Sequence, residues 1–595
     1  MYINLEAMAH TRGCEWIGSQ RRPLSRIVLL MLSRGLLRTC LCLLALAPGW
    51  CLASEALILV NANVYTGAAS QPHADAILAI DGRIAYVGSS AEALKRALAG
   101  ARKIDLGGRT VLPGLTDSHA HLAGIGWREL NFDLTGVESL AALQQRLRDR
   151  AAKDQSAWIV GRGWIESRWT PAAFPARLDL DEAAADRPVI LERIDGHAII
   201  ANSLALKLAG ITRDTADPPG GHILTDPVTG EPTGMLIDGA MALVENLVPP
   251  PTREQVEIAL ETGANRSVKV GWTQLQYAGT TDTEIELLCR LYAEDKIKLR
   301  VYAAIGGPGP DAERLLALGP IAKSCDSHLT VRGIKLYMDG ALGSRGAALL
   351  APYSDSPQDR GLLVNQAGEV LRIAKAALRS GVQLQTHAIG DRANRLVLDI
   401  YQKAFASVPA AERAIAEPRF RIEHAQVLAP EDISRFAKLG VIASMQTSHA
   451  ISDMYFAPSR LGPDRVKGAY AWRSLLDAGA IITGGSDAPV EQGDPIIEFY
   501  AAVTRRTLDG FAGPDWGLEQ RFTREEALRL LTYWPAYAAF QEKERGTIEE
   551  GKLADFTVLS ADIMQVPDAQ ILRARVAMTI IGGEVVYQEA ESPAR

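Results

Sequence analysis

From about residue 111 onward, the sequence repeats one unit: a short apolar strand, a polar or glycine-containing turn, and an amphipathic helical stretch. The stretch EVLRIAKAALRSG has helical periodicity, for example, and ends at Gly381 as a helix does at its C-cap. Strands that alternate with helices predict an α/β fold, a TIM-like (β/α)8 barrel. The eight candidate strands are residues 111–119, 272–279, 299–305, 331–340, 382–391, 419–426, 441–449 and 481–489.

One connection is too long for a simple barrel. More than 150 residues separate the first two strands, whereas one strand–helix unit of a ~250-residue barrel needs only about thirty. We therefore predict an insertion domain at residues 158–250. It would divide the barrel into a start at residues 111–157 and a remainder at residues 251–540.

The two ends of the chain have a similar composition. Residues 54–110 contain β-rich stretches with Asp-Gly and Asn turns, and residues 541–595 contain short β-branched strands around Gly-Gly. A few strands alone are only marginally stable in water. We therefore predict one small composite β-sandwich made from both terminal segments.

Residues 1–53 form a separate zone. Arg34 and Arg38 precede an apolar run, and small residues follow near Ala53. This is the pattern of a secretory signal peptide, and the apolar run is too short for a stable membrane anchor. We expect translation to start at Met31 and the protein to be exported, to the periplasm, with no stable membrane association after signal removal. A membrane anchor or an incorrect gene start is the alternative.

Charge and cysteine content narrow the function classes. The net charge is −7 and no long basic tract is present, so a nucleic-acid partner is not expected. Four of the six cysteines lie in the first 53 residues, which leaves Cys289 and Cys325. This is too few for a disulfide scaffold, and the sequence does not decide whether the two are joined.

Histidine and aspartate residues stand where the predicted strands end. His119 and His121 lie two residues apart at the first strand, and a period of two directs both into the barrel mouth. Neutral imidazoles and a carboxylate suit Zn²⁺ and similar ions. The set is completed by His387 at the fifth strand, His424 at the sixth and Asp487 at the eighth.

These motifs resemble the amidohydrolase superfamily and, within it, the third amidohydrolase family of metal-dependent hydrolases. The resemblance covers nearly everything after residue 55. It is carried by PGLTDSHAHL (113–122), GIKLYMDGALGSRGA (333–347), THAIGDRAN (386–394), RIEHAQ (421–426), TGGSDAPVE (483–491) and GTIEEGKLADFTVL (546–559).

The resemblance implies two divalent metal ions, with zinc as the first choice. One ion would be held by His119, His121 and Asp487, and the other by His387 and His424. Lys335 would bridge them after carboxylation, because a carbamate offers anionic oxygen ligands that an ammonium group lacks. An ion pair between Lys335 and Asp339, or a surface position for Lys335, is the alternative and would favour a one-metal site.

Three further residues are substrate-binding candidates. His197 matches a pocket position of the family but could also pack within the insertion. Arg345 could bind a substrate carboxylate or form a surface ion pair. His449 follows the seventh strand, where relatives read Gln-Pro-x-His and this chain has Thr447 instead of the proline.

The predicted function is hydrolysis of a C–N bond, of amide or N-acyl type, in a small-molecule substrate. A metal ion lowers the pKa of bound water toward ~7, and Asp487 would transfer the proton to the leaving nitrogen as acid and base. The alternatives are a mononuclear deaminase, a cyclic-amide hydrolase, or a catalytically silent regulatory relative. The substrate stays open, and a homodimer is one option for the assembly.

Overall fold

The computed structural model describes residues 56–590, except residues 154–155, 167–168, 194–197, 219–220, 326 and 515. The predicted signal peptide at residues 1–53 therefore lies outside the described residues. Contacts divide the described chain into two units. One unit is Phe132–Val248, called the inserted unit below, and the other combines the residues up to Asn131 with those from Pro249 onward.

The larger unit contains the predicted barrel. Its eight strands pair in parallel with their neighbours in chain order, and a short strand, Ile321–Ser324, pairs antiparallel with the fourth. The TIM-like fold class is thus confirmed. The first to eighth barrel strands are Leu115–Ala120, Trp272–Thr280, Arg300–Gly306, Leu329–Tyr337, Gln383–Ala388, Arg421–His424, Ile442–Gln446 and Ile482–Gly485.

The first and eighth barrel strands meet through the loops that follow them. The Asp487 amide donates to the carbonyl of His119 at 2.7 Å, and the His121 amide donates to the carbonyl of Ala488 at 2.8 Å. The buried carboxylate of Asp117 also accepts from the Ser486 amide at 2.9 Å and from its hydroxyl at 2.5 Å. These hydrogen bonds hold His119 and His121, at the end of the first strand, next to Asp487, which follows the eighth.

Helices surround the barrel, and several of them begin or end at typical capping residues. Thr252, Thr281 and Thr523 each cap a helix through the side chain. Gly381 ends its helix in the left-handed conformation, with φ 81°, as predicted. The helices are Leu122–Leu130, Arg253–Lys269, Asp282–Ala293, Pro310–Leu318, Ala367–Ser380, Asp391–Ser407, Pro430–Leu439, Thr447–Ser452, Ala457–Arg465, Trp472–Asp477, Pro495–Thr504, Arg524–Leu530 and Tyr533–Ala538, with 3-10 turns at Ala410–Glu412, Asp453–Tyr455, Val466–Gly468 and Leu518–Gln520.

The segment predicted as the first barrel strand is two strands. Thr110–Pro113 pairs with Phe556–Leu559, whereas Leu115–Ala120 pairs in the barrel. The break falls at Gly114, where a Cβ atom would lie 2.4 Å from Thr273 Oγ1. The continuous prediction over residues 111–119 was therefore wrong, because the close packing of Thr273 and Asp555 against this glycine is a tertiary feature.

One sandwich sheet comes from the N-terminal segment alone and the other from both ends of the chain, and the two share one apolar core that includes Leu57, Ile77, Phe556 and Ile580. One sheet has the strand order Arg83–Gly88, Ala76–Ile80, Ala56–Val60 and Arg102–Asp105, and the helix Ser90–Arg96 follows its edge strand in sequence. The other sheet has the order Glu584–Gln588, Val576–Ile581, Phe556–Leu559, Thr110–Pro113, Asn63–Tyr65 and His73–Ala74, and the helix Asp568–Ile571 lies between two of its strands in sequence.

The inserted unit begins earlier than residue 158. The strand Phe132–Asp133 pairs with Ile159–Trp164, so residues 132–157 belong to this unit. The predicted start was wrong because only this long-range pairing identifies the strand. The remaining strands are Val189–Arg193, Ala198–Ala201, Gly221–Thr225 and Pro232–Asp238, and the helices are Leu140–Lys153, Arg177–Asp181, Ser203–Leu208 and Ala242–Glu245.

Two further features concern the cysteines and the composition of the helices. Cys289 and Cys325 form a disulfide with a Cα–Cα distance of 5.2 Å, which joins the helix Asp282–Ala293 to the turn after Ile321–Ser324. Among the described residues, none of the helices has both the length and the apolar composition that a membrane crossing requires.

Candidate metal centre

Six predicted ligands meet at the carboxyl ends of the barrel strands. The contacts run from Asp487 to His121 and His119, from His119 to Lys335 and His424, and from His424 to His387. This convergence follows from parallel strands, whose carboxyl ends share one face of the barrel. The geometry therefore brings together the whole predicted ligand set.

Two imidazole nitrogens lie close to the same oxygen of Asp487. His121 Nε2 lies 3.1 Å and His119 Nε2 lies 3.5 Å from Asp487 Oδ1. Donor atoms on one tetrahedral zinc ion are about 3.3–3.6 Å apart, given bond lengths of ~2.0–2.2 Å. These three side chains fit one cation.

The other histidines form a row of rings. His424 lies between His119 and His387, with ring centroids 4.9 Å and 4.6 Å away. His449 stacks on the same ring at 5.8 Å. Donor atoms of His424, His449 and Asp487 lie within 4.8 Å of one another, as do those of His119, His121 and Asp487.

Two acceptors fix which imidazole nitrogen is available. Glu423 Oε2 accepts from His119 Nδ1 at 2.5 Å, and Gln446 Oε1 accepts from His424 Nδ1 at 2.8 Å. Each ring thereby keeps its proton on Nδ1 and offers the lone pair on Nε2 to the centre. This is the arrangement that metal-binding histidines need.

Two of the candidate ligands have left-handed backbone conformations. The φ angle is 73° at His424 and 56° at Asp487. Such angles are unfavourable for residues other than glycine and concentrate at functional sites. The left-handed backbone at His424 allows this residue to reach the site together with Glu423, the residue before it in the strand.

Burial keeps three of the imidazoles, those of His119, His387 and His424, neutral. Burial and the charge of Lys335 lower the pKa of His387 to about 3 and also lower that of His119. Burial and the nearby His387 hold the pKa of His424 well below its ordinary value. Neutral imidazoles are the form that binds cations, so this donor set fits a divalent metal ion.

Asp487 provides the negative charge at the centre. Burial alone would raise its pKa, but the hydrogen bond with His121 and the electrostatic interactions with His119 and His424 lower it well below the ordinary value. The carboxylate is therefore ionised and able to bind a cation or accept a proton.

Lys335 lies inside the barrel and not on its surface. It is only 1% exposed, and its Nζ atom lies 3.0 Å from His119 Nε2. Burial lowers its pKa to about 8. Asp339 instead accepts hydrogen bonds from the backbone amides of Ala348, Ile389 and Gly390, so the structure favours the site position over a pair with Asp339.

The three substrate-binding candidates have different outcomes. His449 lies in the centre. Arg345 forms an ion pair with Asp355, with contacts of 3.2 and 3.1 Å, which favours the alternative interpretation of this residue. His197 lies outside the described residues.

Sequence reasoning missed the residues that hold the ligands in place, which are Asp117, Glu423, Gln446 and Glu498. A signal existed for Glu423. The period of two in RIEH directs Arg421 and Glu423 inward, and a carboxylate inside a barrel needs a partner. Nothing local indicated the partner, since His119 lies 304 residues away.

The comparisons with known proteins agree with this geometry. Residues 102–587 match the model of a family described as the amidohydrolase family. The protein YtcJ of Bacillus subtilis (strain 168) is 35% identical over 89% of this chain and 98% of its own length. An N-substituted formamide deformylase of Arthrobacter pascens is 29% identical over 90% of this chain and 99% of its own length.

A solved structure shares the fold. The metal-dependent hydrolase of Pyrococcus furiosus superposes with a TM-score of 0.71 at 28% identity. The match covers 86% of this chain and all of that protein.

Proposed function

The chain belongs to the amidohydrolase family, and we propose that it hydrolyses a C–N bond of amide or N-acyl type in a small molecule, with two divalent cations. The observation that carries the proposal is the donor set in which four imidazoles, three of them buried, surround one buried, ionised carboxylate. The likeness to a formamide deformylase supports N-substituted formamides as the first substrates to test.

The cations would be held by His119, His121 and Asp487 on one side and by His387 and His424 on the other, with zinc as the first choice. When bound, such ions lower the pKa of water and polarise a carbonyl oxygen. Asp487 accepts the proton of the attacking water and donates it to the leaving nitrogen. The water oxygen bonds to the carbonyl carbon, the C–N bond breaks, and the amine leaves with that proton.

We also propose that Lys335 is carboxylated. Its buried amine has a lowered pKa, so a fraction is neutral near pH 7 and can bond to the carbon of CO₂ with loss of one proton. The product replaces the ammonium group of Lys335 by a carbamate, whose two oxygens share one negative charge, beside His119 Nε2. This removes the repulsion that an ammonium group would exert on a metal ion.

Asp487→Asn tests the acid–base role. We expect kcat to fall by about 10²–10⁴-fold, because proton transfer is lost. The measurement is turnover of an N-substituted formamide by the zinc-loaded protein, followed by release of formate. The matched control is Asp494→Asn, since Asp494 caps the helix Pro495–Thr504 and asparagine caps equally well.

The bond type is tested with a panel of N-substituted formamides, N-acyl amino acids and cyclic amides. Turnover of at least one class, lost in Asp487→Asn and kept in Asp494→Asn, supports the proposal. If the zinc-loaded protein cleaves esters but none of these C–N bonds, the proposed reaction is wrong. Undiminished activity of Asp487→Asn contradicts the assigned role of this residue.

A further inference from the structure

His449 lies inside the candidate centre without a hydrogen-bonding partner. It stands in the helix Thr447–Ser452, directly after the seventh barrel strand, and is 7% exposed. Both of its ring nitrogens are buried and have no hydrogen-bond partner among the described atoms. Because an unsatisfied buried polar atom is unfavourable, this position calls for a ligand.

The two oxygens of Asp487 face different histidines. Oδ1 is directed at His121 and His119, at 3.1 and 3.5 Å. Oδ2 lies 3.6 Å from His449 Nε2. This distance is close to the separation of about 3.3–3.6 Å between two donors on one tetrahedral zinc ion.

His424 supplies a third donor on this second side. Its ring stacks on His449 with an interplanar angle of 17°, and its Nδ1 proton is engaged by Gln446, which leaves Nε2 for a ligand. His424, His449 and Asp487 thus offer three donor atoms within 4.8 Å of one another.

We infer that His449 is a ligand of the second cation, together with His424 and Asp487 Oδ2, so that the two oxygens of Asp487 serve two cations. The inference rests on the metal centre of the proposed function and assigns one more residue to it. His387, which the proposed function also assigns to this cation, lies outside the three-donor group; its Nε2 is likewise buried without a hydrogen-bond partner among the described residues and lies 3.4 Å from Asp339 Oδ1.

The helix that carries His449 is held from three sides. Glu498 accepts from the amides of Thr447 and Ser448, at 3.1 and 3.0 Å. Trp516 Nε1 donates to the Ala450 carbonyl at 2.6 Å, and Ser452 donates to Glu491 at 2.5 Å. A ligand held this firmly needs no rearrangement to bind a cation.

The test is a zinc titration of the full chain after chelation, with bound zinc counted by elemental analysis. We compare the wild type with His449→Asn and with the matched control His222→Asn, whose side chain is 59% exposed and paired with Asp217. We expect His449→Asn to weaken the second zinc site by at least ~10-fold and to leave the first unchanged. The control should match the wild type.

A second variant covers the case in which His449→Asn fails to fold. His449→Cys keeps a zinc-binding side chain, so it should retain two zinc ions. With Co²⁺ in place of zinc, a new thiolate-to-metal absorption band should appear in this variant. Unchanged zinc affinity in a folded His449→Asn, or a His449→Cys protein without that band, overturns the inference. Both readouts are independent of turnover, so a failure of the proposed hydrolysis is recognised separately.

Discussion

At the scale of single residues, the centre depends on buried carboxylates that are not themselves candidate ligands. Glu423 contacts His119, and Asp117 joins the strand that carries His119 to the loop that carries Asp487. Burial would raise the pKa of Glu423, but the electrostatic interaction and the hydrogen bond with His119 hold it at about 2. An ionised acceptor increases the basicity of the imidazole and fixes its orientation.

Glu423→Gln tests this orientation. The amide can still accept from His119 Nδ1 but carries no charge, so we expect metal affinity to fall by about 10–100-fold. Zinc titration measures the change. The control is Glu284→Gln, a helix-capping residue of the same type outside the donor set, and equal zinc affinity in Glu423→Gln and wild type would refute a role for the charge.

At the scale of elements, short segments depend on their neighbours. The helix Thr447–Ser452 has six residues, too few for stability of its own. Glu498, which is 1% exposed, supplies the acceptor for its first amides. The position of His449 therefore depends on the helix Pro495–Thr504, which carries Glu498, as well as on its own helix.

Glu498 makes stability depend on pH. Burial raises its pKa to about 8, so the folded chain holds the proton more tightly than the unfolded chain, whose glutamate titrates near 4.5. Its contribution to stability is full below about pH 4.5 and declines as pH rises to about 8. Relative to Glu498→Gln, the wild type should lose stability across this range, as measured by denaturant unfolding at several pH values.

Two results complete this test. Glu498→Ala removes the acceptor and should destabilise the chain by about 2–3 kcal/mol below about pH 4.5, where the contribution of Glu498 is full. A constant difference between wild type and Glu498→Gln from pH 4.5 to 8 contradicts the raised pKa.

The junction between the sandwich and the barrel at Gly114 also depends on contacts between elements. In Gly114→Ala the new Cβ atom would lie 2.4 Å from Thr273 Oγ1 and 2.9 Å from Asp555 Cβ. We expect a loss of about 1–3 kcal/mol through overpacking. Gly368→Ala is the control, because the space around this helical glycine is open and alanine should be neutral or stabilising. Equal unfolding curves for both variants would show that the junction tolerates a side chain.

At the scale of the whole molecule, the Cys289–Cys325 disulfide closes a loop with a sequence separation of 36. Disulfides persist in oxidising compartments, so this bond supports the proposed export to the periplasm. It ties the connections after the second and third barrel strands together.

Reduction of this bond should lower the free energy of unfolding by about 3–4 kcal/mol, according to the chain-entropy relation for a loop of this length. Thermal unfolding with and without reductant measures the effect. The double variant Cys289→Ala, Cys325→Ala should unfold like the reduced wild type and be insensitive to reductant. A double variant as stable as the oxidised protein contradicts the prediction.

The sequence alone predicted eight barrel strands, a sandwich made from both ends of the chain, and five candidate ligands at strand ends, to which the family resemblance added Lys335. These features have local causes: strand and helix periodicity, turn residues, and the position of a residue within its own strand. His119 and Asp487 could be placed at a common face because parallel strands end on the same side.

Only the tertiary structure decided how these ligands are held and paired. The contact of His119 with Glu423 spans 304 residues, and that of Ser486 with Asp117 spans 369. The break at Gly114 and the start of the inserted unit at Phe132 depend equally on distant partners. Such contacts leave no periodic signal, because their energy arises only when the fold brings the two segments together.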